Sequence, residues 1–238
     1  FLARGAAAGV ALLAGSQPAS APAPRSTVVI VKDKTRQVID GHKVDAAIAR
    51  RLVDAAVMTL AGKSDPAKAW ATFVRPGERV AIKINALFRR ATTHRELVEA
   101  VTDGLIRAGV KPANIVVFDR ADADIRTAQL ELNRTGPGPR AFGISGDYGK
   151  QVWAGPISTR LANIVYWCDA LINMPVLKSH VRSGITGALK NHLGTIPNAR
   201  EFHGNELVEI ADLNALPPIR DKTRICIADA LYGIYHNG

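Results

Sequence analysis

The segment from Leu177 to Gly194, LKSHVRSGITGALKNHLG, holds the densest group of side chains suited to bind an anion. It contains no acidic residue, and its cations and imidazoles are Lys178, His180, Arg182, Lys190 and His192. Ammonium groups attract phosphates and carboxylates, and imidazoles exchange protons near neutral pH. The segment therefore predicts a site for a small anionic ligand, with His180 and Lys190 as candidate catalytic residues and Lys178 as a ligand-binding residue.

Glycines in the same segment favour close approach of a ligand to the backbone. Gly184 and Gly187 stand near the start of a pattern that predicts a helix over residues 184–192. Because the free N–H groups at a helix start bind anions, we assign both glycines, with Asn191 and His203, to the ligand-binding set. The alternative is a basic, solvated helix whose glycines only allow close packing.

Polar residues end several predicted strands. Asn85 ends VAIKIN, Asp119 ends NIVVFD and Asp229 ends RICIAD. Ligands of open α/β sheets lie beyond the carboxyl ends of the strands, so these residues are expected to line one pocket. Asp and Asn are also common turn formers, which is the alternative explanation for each of them taken alone.

Lys83 is unusual because it lies inside the apolar run VAIKIN. A buried ammonium needs a charge partner or a ligand, so Lys83 and Lys190 are expected to hold the anion while His180 donates or accepts a proton. Asp119 and Asp229 are expected to orient these cations or, with a histidine, to coordinate a metal. The alternative for Lys83 is an edge strand from which its ammonium reaches solvent.

The histidine spacing does not identify a metal. His180, His192 and His203 are separated by 12 and 11 residues, whereas a helical zinc pair has its histidines at i and i+4. We therefore assign no metal from the sequence.

The elements that must position these residues alternate between short β-branched runs and amphipathic helical patterns. Strands are predicted at residues 27–31, 80–85, 114–119, 170–176 and 224–229, and helices at 44–60, 65–71, 93–109, 184–192 and 207–213. Thr93 and Glu96 form a capping-box pattern, and residues 136–149 read as an irregular surface loop. This alternation predicts an open, mainly parallel, doubly wound α/β sheet of the Rossmann-like type, in a single domain over residues 27–238 that is expected to be incomplete at its C-terminal end.

Composition sets limits on partners and cofactors. The chain has 238 residues, a formal net charge of +10 and 47% hydrophobic residues, which indicates a globular protein with a basic surface. Two cysteines cannot supply the four thiolates of an iron–sulfur cluster, so no cofactor is assigned. Aromatic residues make up only 5% of the chain, which leaves few stacking platforms and argues against nucleic-acid binding.

The first 26 residues read as an export leader. A weakly apolar run, Ala6 to Gly15, follows Arg4 and leads into small residues and prolines, an order that resembles the part of a twin-arginine signal directly after its arginine pair. The run has about half of the roughly 20 residues needed to span a bilayer. We therefore expect an exported protein of the periplasm or cell envelope without a mature transmembrane helix; the alternatives are an uncleaved membrane anchor and an Ala-rich disordered leader.

Four segments together resemble a known family. VAIKIN, VFD, LINMPVLKSHVRSGITGALKNHLG and ICIADALYG occur in the order found in the core of the domain-of-unknown-function 362 family, over about residues 80–238. The resemblance implies a domain that is sometimes found in iron–sulfur proteins, but the CxxCxxC motifs of such members are missing here. The alternative function is therefore a non-catalytic accessory domain that associates with an iron–sulfur or other electron-transfer partner.

Overall fold

The computed structural model describes residues 26–35, 37–40, 43–204 and 207–234. Its strands are β1 (Ile39–Asp40), β2 (Lys43–Val44), β3 (Val80–Lys83), β4 (Ile115–Asp119), β5 (Arg140–Gly143), β6 (Tyr148–Ala154), β7 (Ile157–Ala162), β8 (Ala170–Asn173), β9 (Val176–His180), β10 (Gly184–Thr186), β11 (Thr223–Cys226) and β12 (Asp229–Ile234). Its α-helices are α1 (Ala46–Ala61), α2 (Pro66–Trp70), α3 (Arg95–Arg107), α4 (Asp122–Thr127), α5 (Asn163–Trp167), α6 (Ala188–Asn191), α7 (Val208–Ala215) and α8 (Pro217–Arg220).

The central sheet has five strands in the order β11-β8-β3-β4-β5, and every pair is parallel. In chain order these are the fifth, fourth, first, second and third strands of the sheet, which is the strand order of a Rossmann-like fold. The predicted doubly wound α/β class is confirmed. The order reverses between β3 and β8, whose last residues Lys83 and Asn173 lie side by side in register. In sheets of this type the reversal point is where ligands bind.

Alternate residues of the strands fill two cores. On β3, Val80 and Ile82 pack into the core formed with α1, α2 and α3, while Ala81 packs into the core formed with α5, α7 and the β6–β7 hairpin. Lys83 therefore follows Ala81 towards the second face. A buried central strand explains why VAIK is almost entirely apolar, and it makes the one cation in that run notable.

A smaller sheet extends beyond the carboxyl end of β8. Its strand order is β10-β9-β12, with β9 antiparallel to β10 and parallel to β12. Met174 and Pro175 separate β8 from β9, so the predicted single strand over residues 170–176 is two strands with a break. This second sheet carries Lys178 and His180 over the edge of the central sheet.

Three sequence predictions in the site region are wrong. The predicted helix over residues 184–192 begins only at Ala188 and is four residues long, because Gly184, with φ of 68°, turns the chain into the hairpin strand β10. The predicted loop 136–149 contains β5, which pairs with β4. The capping box is not formed, because the Thr93 hydroxyl instead accepts from the N–H of Asn85 and donates to the carbonyl of Met174.

The predicted strand at residues 27–31 is also absent. Val28 and Ile30 are exposed, and no strand of the described part of the chain pairs with this segment. The predicted leader, residues 1–26, lies outside the described residues except for Ser26, so export stays a prediction. None of the described helices is both long enough and apolar enough to cross a membrane.

Replacement of Asp45 tests the start of α1. The Asp45 carboxylate accepts from the N–H of Ile48 at 2.8 Å and caps the helix. We expect Asp45→Ala to lower the free energy of unfolding by about 1 kcal/mol, because an N–H of the first turn loses its acceptor. Urea unfolding measures the change; Asp45→Asn, which keeps an acceptor, is the control, and an equal loss in both variants would contradict this role.

Candidate functional site

A cavity of about 260 Å³ lies at the carboxyl ends of β3 and β4, beneath β9 and α6. Eight residues predicted from the sequence line it: Lys83, Asn85, Asp119, Lys178, His180, Lys190, Asn191 and His203. Gly184, Gly187 and Asp229, also predicted, are not among its lining residues. The cavity lies next to the reversal point of the sheet, because β3 borders both the cavity and β8, and ligands of such sheets bind at the carboxyl ends of the strands near this point.

Lys83 forms the floor of the cavity together with Asp119. The Lys83 ammonium lies 2.8 Å from Asp119 Oδ1, and both side chains are almost completely buried. Asp119 Oδ2 accepts from the N–H of Ala86 at 2.7 Å, and Oδ1 also accepts from the N–H of Arg120. The pair thus satisfies both charges within the protein, as a buried ion pair requires.

Hydrogen bonds among three asparagines connect this floor to α6 and β8. Asn191 donates through Nδ2 to the carbonyl of Lys83 and to Asn173 Oδ1, and its Oδ1 accepts from Asn85 Nδ2 at 3.0 Å. A single buried amide therefore joins three elements at the reversal point. Because each group can satisfy its partners only in one arrangement, the network fixes the positions of Asn85 and α6.

The backbone of Gly194 packs closely against the side chains of the cavity floor, where a larger residue would not fit. A Cβ at this position would lie 2.7 Å from both Cε and Nζ of Lys83 and 3.0 Å from Asp119 Oδ1. Those atoms are buried and hydrogen-bonded, so they have little room to move. Gly194 is not among the residues predicted from the sequence, because its role depends on side chains that are distant in the chain.

Lys178 reaches the cavity from β9. Its ammonium donates to Asn85 Oδ1 at 2.8 Å and to the carbonyl of Ala91 at 3.3 Å, and it lies over the ring of Phe88. All of these partners are uncharged. Burial lowers the pKa of Lys178; the negative charge of Asp119 raises it in part, and the positive charge of Lys83 lowers it again.

Lys190, on α6, is the cation of the cavity wall with the fewest hydrogen-bond and ion-pair partners among the described residues. No hydrogen bond or ion pair to its ammonium is found among the described residues, although it lines the cavity. Burial, with a smaller contribution from the charge of Lys178, lowers the pKa of Lys190 to about 8. Lys178 and Lys190 therefore disfavour each other's charge in a partly desolvated space.

Three histidines near the cavity have different environments. His192 is buried, its Nε2 accepts from Asn173 Nδ2, and burial followed by the charge of Lys83 lowers its pKa to about 3. It is therefore neutral and structural. The half-buried rings of His180 and His203 both line the cavity and contact each other in a tilted arrangement, with 5.7 Å between their centroids.

Asp229 lies elsewhere, at the start of helix α3. Its buried carboxylate accepts from the N–H of His94 and contacts His94 Nδ1, both at 2.8 Å. This contact raises the pKa of His94. Asp229 thus connects β12 to the start of α3. Because its carboxylate contacts His94 there and does not line the cavity, it does not orient the cavity cations.

Several cavity residues were not predicted. Ser179 Oγ and Thr186 Oγ1 are buried hydroxyls that line the cavity and have no partner in the described part of the chain. Thr186 lies opposite Lys178 in the β9–β10 register. This pairing could not be found from the sequence, because the segment was predicted to be a helix. Arg120 directly follows Asp119 at the strand end, so the rule that located Asp119 would also have located Arg120.

The donor set does not fit a protein-held metal. No group of three His, Cys, Asp or Glu side chains suitable for a metal ion occurs within the ranges that the structure describes. The cavity has one carboxylate, which already accepts from Lys83, and it has four basic side chains around it. Its electrostatics favour an anion.

Comparison with protein-family models gives one match. The family described as a domain of unknown function, DUF362, matches residues 80–238, about two thirds of the chain. These bounds cover the cavity and the whole central sheet. A search of curated proteins finds no match.

The buried ion pair of Lys83 and Asp119 predicts strong energetic coupling between these two residues. Asp119→Asn should lower the free energy of unfolding by about 3–5 kcal/mol, because it leaves the Lys83 ammonium buried without a counter-charge. The double variant with Lys83→Met should be less destabilised than the sum of the single variants. Urea unfolding of the four proteins measures this; additive losses would refute the coupling, and Asp221→Asn, in an exposed pair, serves as the control with little effect.

The His94–Asp229 contact predicts a pH-dependent contribution to stability. Because the pKa of His94 is raised in the folded state, the stabilisation is complete at pH values below the unfolded pKa and is lost as pH rises through the folded pKa. Relative to His94→Asn, which keeps an N–H donor without the charge, the wild-type protein should be more stable in acid. Urea unfolding across a pH series should show this advantage shrinking with rising pH, and a constant difference would contradict it.

Proposed function

We propose that this chain, which belongs to the DUF362 family, binds a small oxyanion, a phosphate or a carboxylate, in the cavity at the carboxyl ends of β3 and β4. The observation that carries the proposal is Lys190, which lines the cavity and whose ammonium has no hydrogen-bond or ion-pair partner among the residues that the structure describes. Cations that are partly buried need a counter-charge. An anion beside Lys190 would supply it.

The charges around the cavity favour a ligand between Lys178 and Lys190. Asp119 is already paired with Lys83, and its charge offsets that of Lys178 only in part, because the pKa of Lys178 is still lowered. Among the described residues, the hydrogen bonds of the Lys178 ammonium go to a side-chain amide and a backbone carbonyl. Lys83, expected from the sequence to hold the anion directly, in this proposal supports the floor, while Lys178 takes the binding role.

The uncharged hydrogen-bond donors of the cavity and the volume of the cavity limit the class of ligand. The unpartnered hydroxyls of Ser179 and Thr186 can donate to ligand oxygens. The volume of about 260 Å³ is below the range of about 300–1,000 Å³ of typical drug-sized sites. A small oxyanion fits this combination better than a dinucleotide.

The alternative, a non-catalytic accessory domain for an electron-transfer partner, stays a prediction. Val181, Ile185 and Leu189 are exposed apolar residues near the cavity mouth, where such a partner would need a docking face. This alternative requires no anion site. Stabilisation by a small anion that depends on Lys190 therefore separates the two functions.

Inorganic phosphate is the first probe. At about one hundred times its Kd it should stabilise the wild-type protein by about 2.7 kcal/mol, a rise in Tm on the order of 5–10 °C for a chain of this size. Lys190→Ala should weaken binding by roughly 10- to 100-fold, since it removes a charge-assisted hydrogen bond. Affinity should also fall as pH rises through about 8, where Lys190 loses its proton.

Lys150→Ala is the matched control, because Lys150 is an exposed lysine on β6 outside the cavity. It should bind phosphate as the wild type does. Equal stabilisation of the Lys190→Ala and Lys150→Ala variants would remove Lys190 from the site. Absence of any stabilisation by phosphate or acetate would favour the accessory role.

A further inference from the structure

We propose that the ligand of the cavity is an organic carboxylate, whose charged group binds Lys178 and Lys190 and whose apolar group lies against Leu87 and Phe88. This inference rests on the proposed anion site and names the class of ligand that the site selects. An inorganic oxyanion would meet the same two ammonium groups but would leave the apolar part of the cavity uncovered.

Leu87 and Phe88 are consecutive apolar residues that support neither core of the protein. They follow β3, and both line the cavity. Their neighbours Ile84 and Ala86 are buried in the first core, whereas the two cores of the described residues include neither of the longer side chains. Leu87 is 61% exposed. A single exposed leucine is common on a protein surface, but two adjacent apolar residues that line one cavity indicate contact with an apolar ligand group.

Two residues from other segments extend this apolar surface. Leu193, which follows α6, is buried, Ala199 is half-buried, and both line the cavity. Each also packs in the second core, so the fold holds it in place. Together with Leu87 and Phe88 they form the apolar wall of the cavity. Sites for organic ligands combine such a lining with a few polar groups that fix the orientation of the ligand, and here the ammonium groups and the two unpartnered hydroxyls supply these groups.

Phe88 places the apolar wall next to an ammonium group that binds the anion. The Lys178 ammonium lies 5.7 Å from the centroid of the Phe88 ring. A carboxylate has its oxygens on one side and its carbon chain on the other, so it can contact the ammonium and the ring at the same time. Phosphate and sulfate have oxygens on all sides, and an oxygen that faced the ring would lose water without gaining a hydrogen bond.

The volume of the cavity sets the length of the apolar group. At about 30 Å³ for each water molecule of the liquid, a cavity of about 260 Å³ has room for roughly nine non-hydrogen atoms. Hexanoate is close to this size, whereas acetate leaves much of the cavity to water. We therefore expect affinity to rise with chain length as far as hexanoate and to level off for longer chains.

Straight-chain carboxylates test the inference, because acetate, butyrate and hexanoate carry the same charge and differ only in apolar length. The titrations are made at constant ionic strength below the pKa of Lys190, which is about 8. Isothermal titration calorimetry with the wild-type protein should show affinity rising about two- to fourfold for each CH₂ group that leaves water. Lys190→Ala should weaken the binding of all three carboxylates, and hexanol, which has the chain without the charge, should bind far more weakly than hexanoate.

Leu87→Ala separates the apolar wall from the anion site. It should lower affinity for hexanoate by about five- to tenfold, because it removes apolar contact area, and leave affinity for acetate and sulfate unchanged. Leu189→Ala is the matched control, since Leu189 has a similar exposure, 55%, and is not among the residues that line the cavity. The control variant should bind every anion as the wild type does.

Three results would overturn the inference while leaving the anion site intact. They are equal affinity for acetate and hexanoate, an equal loss for both carboxylates in Leu87→Ala, and a loss of hexanoate affinity in Leu189→Ala as large as that in Leu87→Ala. If neither phosphate, sulfate nor any of the carboxylates binds the wild-type protein, the anion site itself fails and the inference fails with it. The two cases are distinguishable, because the first three results all require measurable binding of an anion.

Discussion

The ion pair between Lys83 and Asp119 is the constraint on which the rest of the cavity depends. It joins the ends of two neighbouring parallel strands, β3 and β4, and β3 also borders the point where the strand order reverses. Asp119 also accepts from the backbone after β3, and Lys83 contacts the amide of Asn191 on α6. Because a buried charge is tolerated only when its partners are held in place, the pair requires each of these elements to keep its position.

That arrangement separates the charges of the cavity into two groups. The floor is internally neutral, whereas the wall formed by β9 and α6 has two ammonium groups with no carboxylate partner among the described residues. A fold selected only for stability has no reason to bring Lys178 and Lys190 together. Their proximity is consistent with a ligand that compensates them, and the rigid floor would keep the binding geometry fixed.

The sequence predicted four of the five strands of the central sheet, all except β5, and the residues of the floor, because these follow local rules. Apolar runs of β-branched residues identified β3, β4 and β8, and strand-end polarity identified Asn85 and Asp119. The hairpin β9–β10 was missed because Gly184 and Gly187 suggested a helix start, whereas the positive φ of Gly184 serves a reversal of the chain. The different hydrogen bonds of His180 and His203 could not be predicted, since they depend on which backbone groups each Nδ1 contacts in the fold.

The contact between His94 and Asp229 has a consequence for how the protein acquires its site. The two residues are 135 positions apart, and the strand that begins at Asp229 lies against β9, which carries Lys178 and His180. Contacts between such distant positions close large loops and form late in folding. During synthesis the cavity wall can therefore gain its supporting strand only after nearly all of the described chain has emerged, so the cavity is among the last features of this fold to be completed.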